Sequence, residues 1–319
     1  MSLDILTFGE ALVEVMRTGI GQPLEEAGPF EGPFPSGAPF IFAAQAARLG
    51  ARVAALGAVG DDAFGRCMLK QLRADGIDPR SLRVLPDHTT GVAFVAYNAD
   101  GSRDFVFHAR HAASAQLTTD MLDEGLFVGL KCLHLMGSTL AMHEGLLALG
   151  LHALTLAQRH GAKISFDPNL RPQLMPPQRA RQAFAPFIKV ADVLLPTAQE
   201  LALLTGHDDV AQAVDQLMAR KPDRIIVITQ GADGALLCQG DQTIHVAGFP
   251  VQEVDPTGAG DCFGAAFLVR WLAGDDPTHA VRFANACGAL AVTRRGPMSG
   301  ARPLAEVLAF MERYSTQSR

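Results

Sequence analysis

The 319-residue chain has no run of Lys or Arg longer than the pair Arg294-Arg295, and its net charge is -6, so the electrostatic footprint of nucleic-acid binding is missing. The five cysteines (Cys67, Cys132, Cys238, Cys262, Cys287) form no Cys-x-x-Cys pair; the usual zinc and redox spacings are absent, and the count fits reduced, buried thiols of a cytosolic protein. Histidine offers no metal pattern either. His108 and His111 are three apart, His134, His143 and His152 are scattered, and no His-Glu-x-x-His occurs, which leaves core or surface histidines. Residues 126–142, the most apolar stretch, are broken by Lys131 and His134, and the chain opens on a strand-like Asp4 to Gly9. Neither a membrane span nor a signal peptide is expected, and the expected location is cytoplasmic. No internal repeat or low-complexity linker is visible. What remains is 48% hydrophobic and 19% charged residues with 31 Gly and 19 Pro, an enzyme-like globular composition in which small anions must be held by a few placed groups.

Apolar runs alternate with helical patterns: residues 53–56 then 63–74, 132–136 then 144–159, 163–166 then 178–189, 193–195 then 199–204, and a run at 224–228. That is the sequence form of βαβ units, hence an α/β fold with a mainly parallel sheet between helical layers and ligands at the carboxyl ends of its strands. Residues 12–16, 91–97 and 103–108 break the pattern. They read as strands without helices, the last two joined by Asn98-Ala99-Asp100-Gly101, whose Asp-Gly is a hairpin signal. A small sheet from residues 12–35 and 87–110 is expected as a lid over a cleft. Residues 259–311 read as nearly all helical.

Two motifs come close to nucleotide fingerprints and fail. Gly60 to Gly65 has P-loop spacing but carries Asp61 and Asp62 inside the loop and Arg66-Cys67 after it, so an N-cap is the expected role. Gly258 to Gly264 has one residue too many for a dinucleotide motif and lies between helical segments. The second is nevertheless the most informative stretch. In Asp255-Pro-Thr-Gly-Ala-Gly-Asp261 a glycine-rich turn opens a helix, and the amides of Ala259, Gly260 and Asp261, with the helix dipole, would cradle a phosphoryl group. The Asp261 carboxylate beside them would take the proton of an attacking hydroxyl. The alternative is that Asp261 only caps the helix.

These residues resemble the C-terminal signature of the ribokinase-like, or PfkB, carbohydrate kinases, and the likeness spans most of the chain. It implies one ribokinase-like domain over residues 1–319, a three-layer sandwich with a β lid, using ATP and Mg2+. By the same resemblance Gly258, Ala259 and Gly260 form the anion hole and Asp261 is the catalytic base. Ser36-Gly37-Ala38, followed by the helical 43–50, resembles the N-terminal signature beside the sugar, with Ser36 in place of a glycine and Ile41 where an asparagine usually contacts a hydroxyl. Asp167-Pro168-Asn169-Leu170-Arg171 resembles a cleft-lining stretch, which implies Asn169 and Arg171 at the substrate. Thr197 and Glu200 resemble an Asn-x-x-Glu segment that organises magnesium, with Thr197 replacing the asparagine; a plain capping box fits the same two residues. Thr229, Gly231 and Gly234 resemble a nucleotide-side turn, or a simple hairpin, and Asn285 resembles an adenine-side residue, or a buried packing amide. Thr257 joins this nucleotide set.

Gly9 to Glu14 and the Asp-Pro-Asn-Leu-Arg-Pro form are similar to 2-keto-3-deoxygluconate kinases and fructokinases. Glu14, Gly37, Ala38 and Arg110 are then expected at the sugar, Arg110 standing in for an arginine expected near His108. The expectation is phosphorylation of 2-keto-3-deoxygluconate, with fructose or another ketose next, then a nucleoside, or a non-catalytic sugar- or nucleotide-binding regulator. A homodimer through the lid is expected from the same resemblance.

Overall fold

The computed structural model describes residues 2–317. Its strands are β1 (Ile5–Phe8), β2 (Leu12–Arg17), β3 (Phe30–Ser36), β4 (Val53–Gly60), β5 (Leu82–Leu85), β6 (Gly91–Tyr97), β7 (Arg103–His108), β8 (Cys132–Met136), β9 (Lys163–Asp167), β10 (Val193–Leu194), β11 (Ile225–Thr229), β12 (Gly234–Gln239) and β13 (Gln242–Ala247). The helices are α1 (Ala38–Arg48), α2 (Ala63–Ala74), α3 (Gly137–Met142), α4 (Glu144–Arg159), α5 (Pro177–Val190), α6 (Ala198–Thr205), α7 (Val210–Arg220), α8 (Ala259–Leu272), α9 (Pro277–Ala291) and α10 (Leu304–Gln317).

Nine strands form one sheet in the order β13-β12-β11-β10-β9-β8-β1-β4-β5, parallel from β11 through to β5, with β12 and β13 added antiparallel. Successive strand residues face opposite sides, and the core divides accordingly. Ile5, Ile225 and Val227 pack with α1, α8 and α9 through Phe40, Phe267 and Phe283. Leu6, Phe166, Ile226 and Ile228 pack on the other face with α4 and α5 through Leu149, Phe184 and Phe187. A sheet buried on both faces favours apolar residues at successive strand positions, which is why β1, β8 and β11 are mostly apolar, with Thr7 and His134 as buried polar exceptions in β1 and β8. Strand order reverses at β1, which lies between β4 and β8, and loops leaving the two neighbours diverge there to open a crevice.

A second sheet, ordered β3-β2-β6-β7, stands outside the main layer. Its β6–β7 hairpin turns where the sequence signal placed it, with Gly101 at φ 81° and Asn98 N donating to Ser102 O at 2.8 Å. The P-loop lookalike is an N-cap: Asp62 Oδ1 accepts from Gly65 N at 2.8 Å and opens α2. Two expectations change. The C-terminal segment is not all helix, because residues 292–303 form a loop between α9 and α10. The β12–β13 hairpin was also missed, although Gly240-Asp241 between two alternating runs is the signal for it.

Candidate active site

The carboxyl ends of β9 and β11, the loop after β1 and the inner face of the small sheet enclose a cleft of about 810 Å³. Its centre is the start of α8. Gly258 is the N-cap in the left-handed region, φ 83°, where an added Cβ would stand 2.5 Å from Pro297 O and 3.0 Å from Ile41 Cγ2, so only glycine fits. Beyond it the amides of Gly260 and Asp261 lie in the first turn, where the helix has no carbonyl to offer them, and the Gly260 position faces open space. Positive dipole, free donors and room coincide, which suits a phosphoryl group. Asp261 is buried in the same turn, and burial raises its carboxyl to about 7; Arg171 opposes the shift, while Glu10 and Glu14 add to it.

The turn is held from behind. Asp255 N donates to Val292 O, Asp255 Oδ1 accepts from Thr257 N at 3.0 Å, and Asp255 Oδ2 accepts from Gly296 N at 2.8 Å.

At one end of the cleft four carboxyl groups gather. Glu10 accepts from Thr139 Oγ1 at 2.5 Å and Ser138 Oγ at 3.4 Å, and burial raises its carboxyl above the usual range. Ser36 Oγ donates to Glu14 Oε1 at 2.6 Å. The serine that replaces a glycine therefore orients Glu14, whose other oxygen is buried without a partner and whose carboxyl burial lifts to about 7. Asp167 is raised by burial and by the charges of Glu200 and Asp261, and its Oδ1 accepts from Asn169 N at 2.9 Å. That bond holds Asn169 at φ 36°, a left-handed conformation uncommon outside glycine. Arg103 and Arg171 are the cations that line this end.

Glu200 performs the capping box with Thr197, whose hydroxyl accepts from Glu200 N while Glu200 Oε2 accepts from Thr197 N at 2.8 Å. Its Oε1 also accepts from Leu170 N at 2.7 Å, tying the start of α6 to the loop after β9. At the opposite end Thr229, Gly231 and Gly234 line the cleft from the β11–β12 hairpin, so the simple hairpin and the cleft-lining turn are the same object. Asn285 lines it too, but its Nδ2 donates to Val246 O at 2.9 Å and Ala247 O at 3.1 Å and pins β13 to α9.

Of the residues expected at the site, Gly258, Ala259, Gly260, Asp261, Thr257, Thr229, Gly231, Gly234, Asn285, Glu14, Gly37, Ala38, Asn169, Arg171 and Glu200 all line the cleft. Arg110 does not. On β7, Arg103, Phe105 and Phe107 are half-buried and line the cleft, while Asp104, Val106 and His108 alternate away to solvent; Arg110 follows the parity of His108 and is exposed. Glu10 and Arg103, which also line the cleft, were not named at the site, and Asp167 was read only as part of the cleft-lining stretch after β9. Arg103 was findable, since Arg-x-Phe-x-Phe puts it on the face of the two aromatics.

The profile of the pfkB family carbohydrate kinases matches residues 33–303. The chain belongs to this family. It is similar to Fructokinase-1 of Zea mays, 35% identical over 319 residues, covering 97% of this chain and 98% of the relative. Among solved structures it is similar to a candidate ribokinase II from E. coli in complex with ATP and Mg2+, at 39% identity and TM-score 0.92, covering 98% of this chain and all of that one. A fructokinase from Vibrio cholerae O395 in fructose, ADP and calcium ion bound form matches at 29% identity and TM-score 0.83, over 97% of this chain and 99% of that one. This chain is thus a sugar kinase of ribokinase-like α/β fold, and the cofactors that the E. coli neighbour holds are ATP and Mg2+.

The residues present fit both cofactors. Free amides and open space at Gly260 admit a phosphoryl group. Mg2+ would enter on the nucleotide phosphates with several waters, and the Glu200 carboxylate that lines the cleft would face that water shell.

Proposed function

We propose that this kinase transfers the γ-phosphoryl of ATP to a primary hydroxyl of a neutral ketose of the fructose class, with Asp261 as general base. The observation that carries the chemistry is the junction of Asp261, raised to about 7, with the free amides of its own helix turn. Asp261 takes the proton of the sugar hydroxyl, the hydroxyl oxygen forms a bond to Pγ, and the bond from Pγ to the bridging oxygen of ADP breaks. The amides at 259–261 stabilise the charge on the moving phosphoryl group. Mg2+ supplies charge neutralisation on the β- and γ-phosphates when bound, and Glu200 is the side chain assigned to its water shell.

Two facts support a neutral acceptor. The curated relatives include fructokinases at 35% identity over nearly the whole chain. Glu10, Glu14, Asp167 and Asp261, all raised by burial, also give the acceptor end several hydrogen-bonding groups suited to the multiple hydroxyls of a sugar. The unpartnered Glu14 oxygen is suited to accept from a sugar hydroxyl. A sugar acid such as 2-keto-3-deoxygluconate is the second reading, favoured only by the two arginines. An ATP-consumption assay with fructose, 2-keto-3-deoxygluconate, ribose, tagatose and adenosine decides between them. The highest kcat/KM is expected with fructose; a higher value with the sugar acid overturns the neutral-acceptor reading.

We also propose a homodimer through the small sheet. On its outer face Phe30 and Phe94 meet edge-on at 5.7 Å, and Val106, opposite Phe94, is 44% exposed. Exposed apolar groups together on one sheet face suit burial against a second copy.

A further inference from the structure

Tyr97 and Arg103 are directly opposite each other on β6 and β7, next to the hairpin turn. Both side chains reach the loop in front of α8. The Tyr97 hydroxyl donates to Asp255 Oδ1 at 2.8 Å and lies 3.5 Å from Thr257 Oγ1, while Arg103 Nη1 donates to Thr257 Oγ1 at 3.0 Å. Asp255 and Thr257 are buried and immediately precede the Gly258 turn whose amides face the cleft. Burial keeps the Tyr97 hydroxyl protonated, hence a donor, at any physiological pH.

We propose that Tyr97 and Arg103 are positioning residues that clasp the small sheet to the phosphoryl-binding turn, so that the turn is held in register only while the hairpin lies over the cleft. Thr257 is one residue from Gly258, so freedom at its side chain passes directly into the direction of the Gly260 and Asp261 amides. The 296 turn and the end of α9 hold Asp255 from the main body, and the hairpin supplies the remaining hold. Outward movement of the hairpin breaks both clasp bonds together. The presence of an acceptor under the small sheet would then be coupled to assembly of the phosphoryl site, which disfavours transfer to water. Arg103 has a second effect, because its charge favours the ionised form of Asp261, as Arg171 does, against Glu10 in the loop after β1, Glu14 on β2 and Asp167 at the end of β9.

The proposal rests on the kinase reading, and its pH arm on Asp261 as base. The test is a double-mutant cycle on sugar-dependent kcat with Arg103→Met and Thr257→Val, with Arg103→Lys and Tyr97→Phe alongside. Each of the first two is expected to lower kcat by about 10- to 100-fold, as for a misplaced reacting group. The double variant should fall no more than about threefold below the worse single, since both remove one interaction. Tyr97→Phe should cost less, because Asp255 keeps its bonds to Thr257 N and Gly296 N. The acid limb of kcat/KM should move to higher pH in Arg103→Met, stay in place in Thr257→Val and be restored in Arg103→Lys, a pattern that a packing role would not produce. Losses that multiply, single-variant effects within twofold, or an unmoved limb in Arg103→Met overturn the clasp. If Asp261→Asn keeps its turnover, the base assignment fails, and the cycle alone then decides.

Discussion

Replacing Asp261 with Asn should make the enzyme slower and the fold more stable, and the stability gain should depend on pH. Asp261 is buried, and its carboxyl is raised from 3.8 to about 7 chiefly by desolvation. About three units at 1.36 kcal/mol each make ionisation of this group cost on the order of 4 kcal/mol in the folded protein. The direction follows from proton binding. A folded-state pKa above the unfolded value means that the folded protein binds the proton more tightly between pH ~4 and ~7; stability from this group is intact below the unfolded value and lost as pH rises through about 7. Asn does not titrate. The variant's advantage should therefore grow by on the order of 3 kcal/mol between pH 5 and pH 8, or roughly 4 °C in Tm for a chain of this length. The other raised carboxyls, Glu10, Glu14 and Asp167, are present in both proteins and cancel to first order. Turnover should fall by a factor on the order of 10² to 10⁴. Thermal melts of both proteins at pH 5 and pH 8, with sugar-dependent ADP release measured at pH 8, test the two halves together. A variant less stable than the parent at pH 8, or an advantage equal at both pH values, refutes the buried-charge account, and near-normal turnover refutes the base.

The two glycines of the phosphoryl turn should respond differently to alanine. Gly258→Ala meets Pro297 O at 2.5 Å in a left-handed conformation and should lose on the order of 2 kcal/mol of stability as well as activity, whereas Gly260→Ala meets no atom within 4 Å and should keep its Tm while losing at least about 10-fold in kcat. Equal melting temperatures for the two variants would contradict this. For the proposed dimer, sedimentation at micromolar concentration should give twice the chain mass, and Val106→Glu should give a monomer; a monomeric parent protein would remove that proposal.

The main sheet was legible because parallel strands buried on both faces leave short, mostly apolar runs between helical patterns, and β1, β8 and β11 each carry one. β12 and β13 were not, because β13 is mostly exposed and its composition does not separate it from a loop. At the site the difference has the same origin. The place of Asp261, Gly258 and Gly260 in the cleft was legible because a dipole, unpaired amides and an acid must be adjacent in the chain to act together, so the function proposed for them rests on a seven-residue word. Glu200 was legible but ambiguous; the structure shows the capping box and adds the bond to Leu170 that no local pattern contains.

The sequence by itself determined the fold class, the glycine turn with its acid at the start of α8, and the reaction class, since each depends on residues close together along the chain. Only the tertiary structure decided which arginine on or after β7 faces the cleft. Arg110 was set against the expected position by its distance along the chain, but side-chain parity on β7 turns it to solvent and turns Arg103 inward. It also brought Tyr97 and Arg103 onto Asp255 and Thr257, more than 150 residues later, and Ser36 onto Glu14. Contacts between distant segments are set by how two sheets pack against each other, and strand periodicity states which face a residue takes without stating what that face will meet.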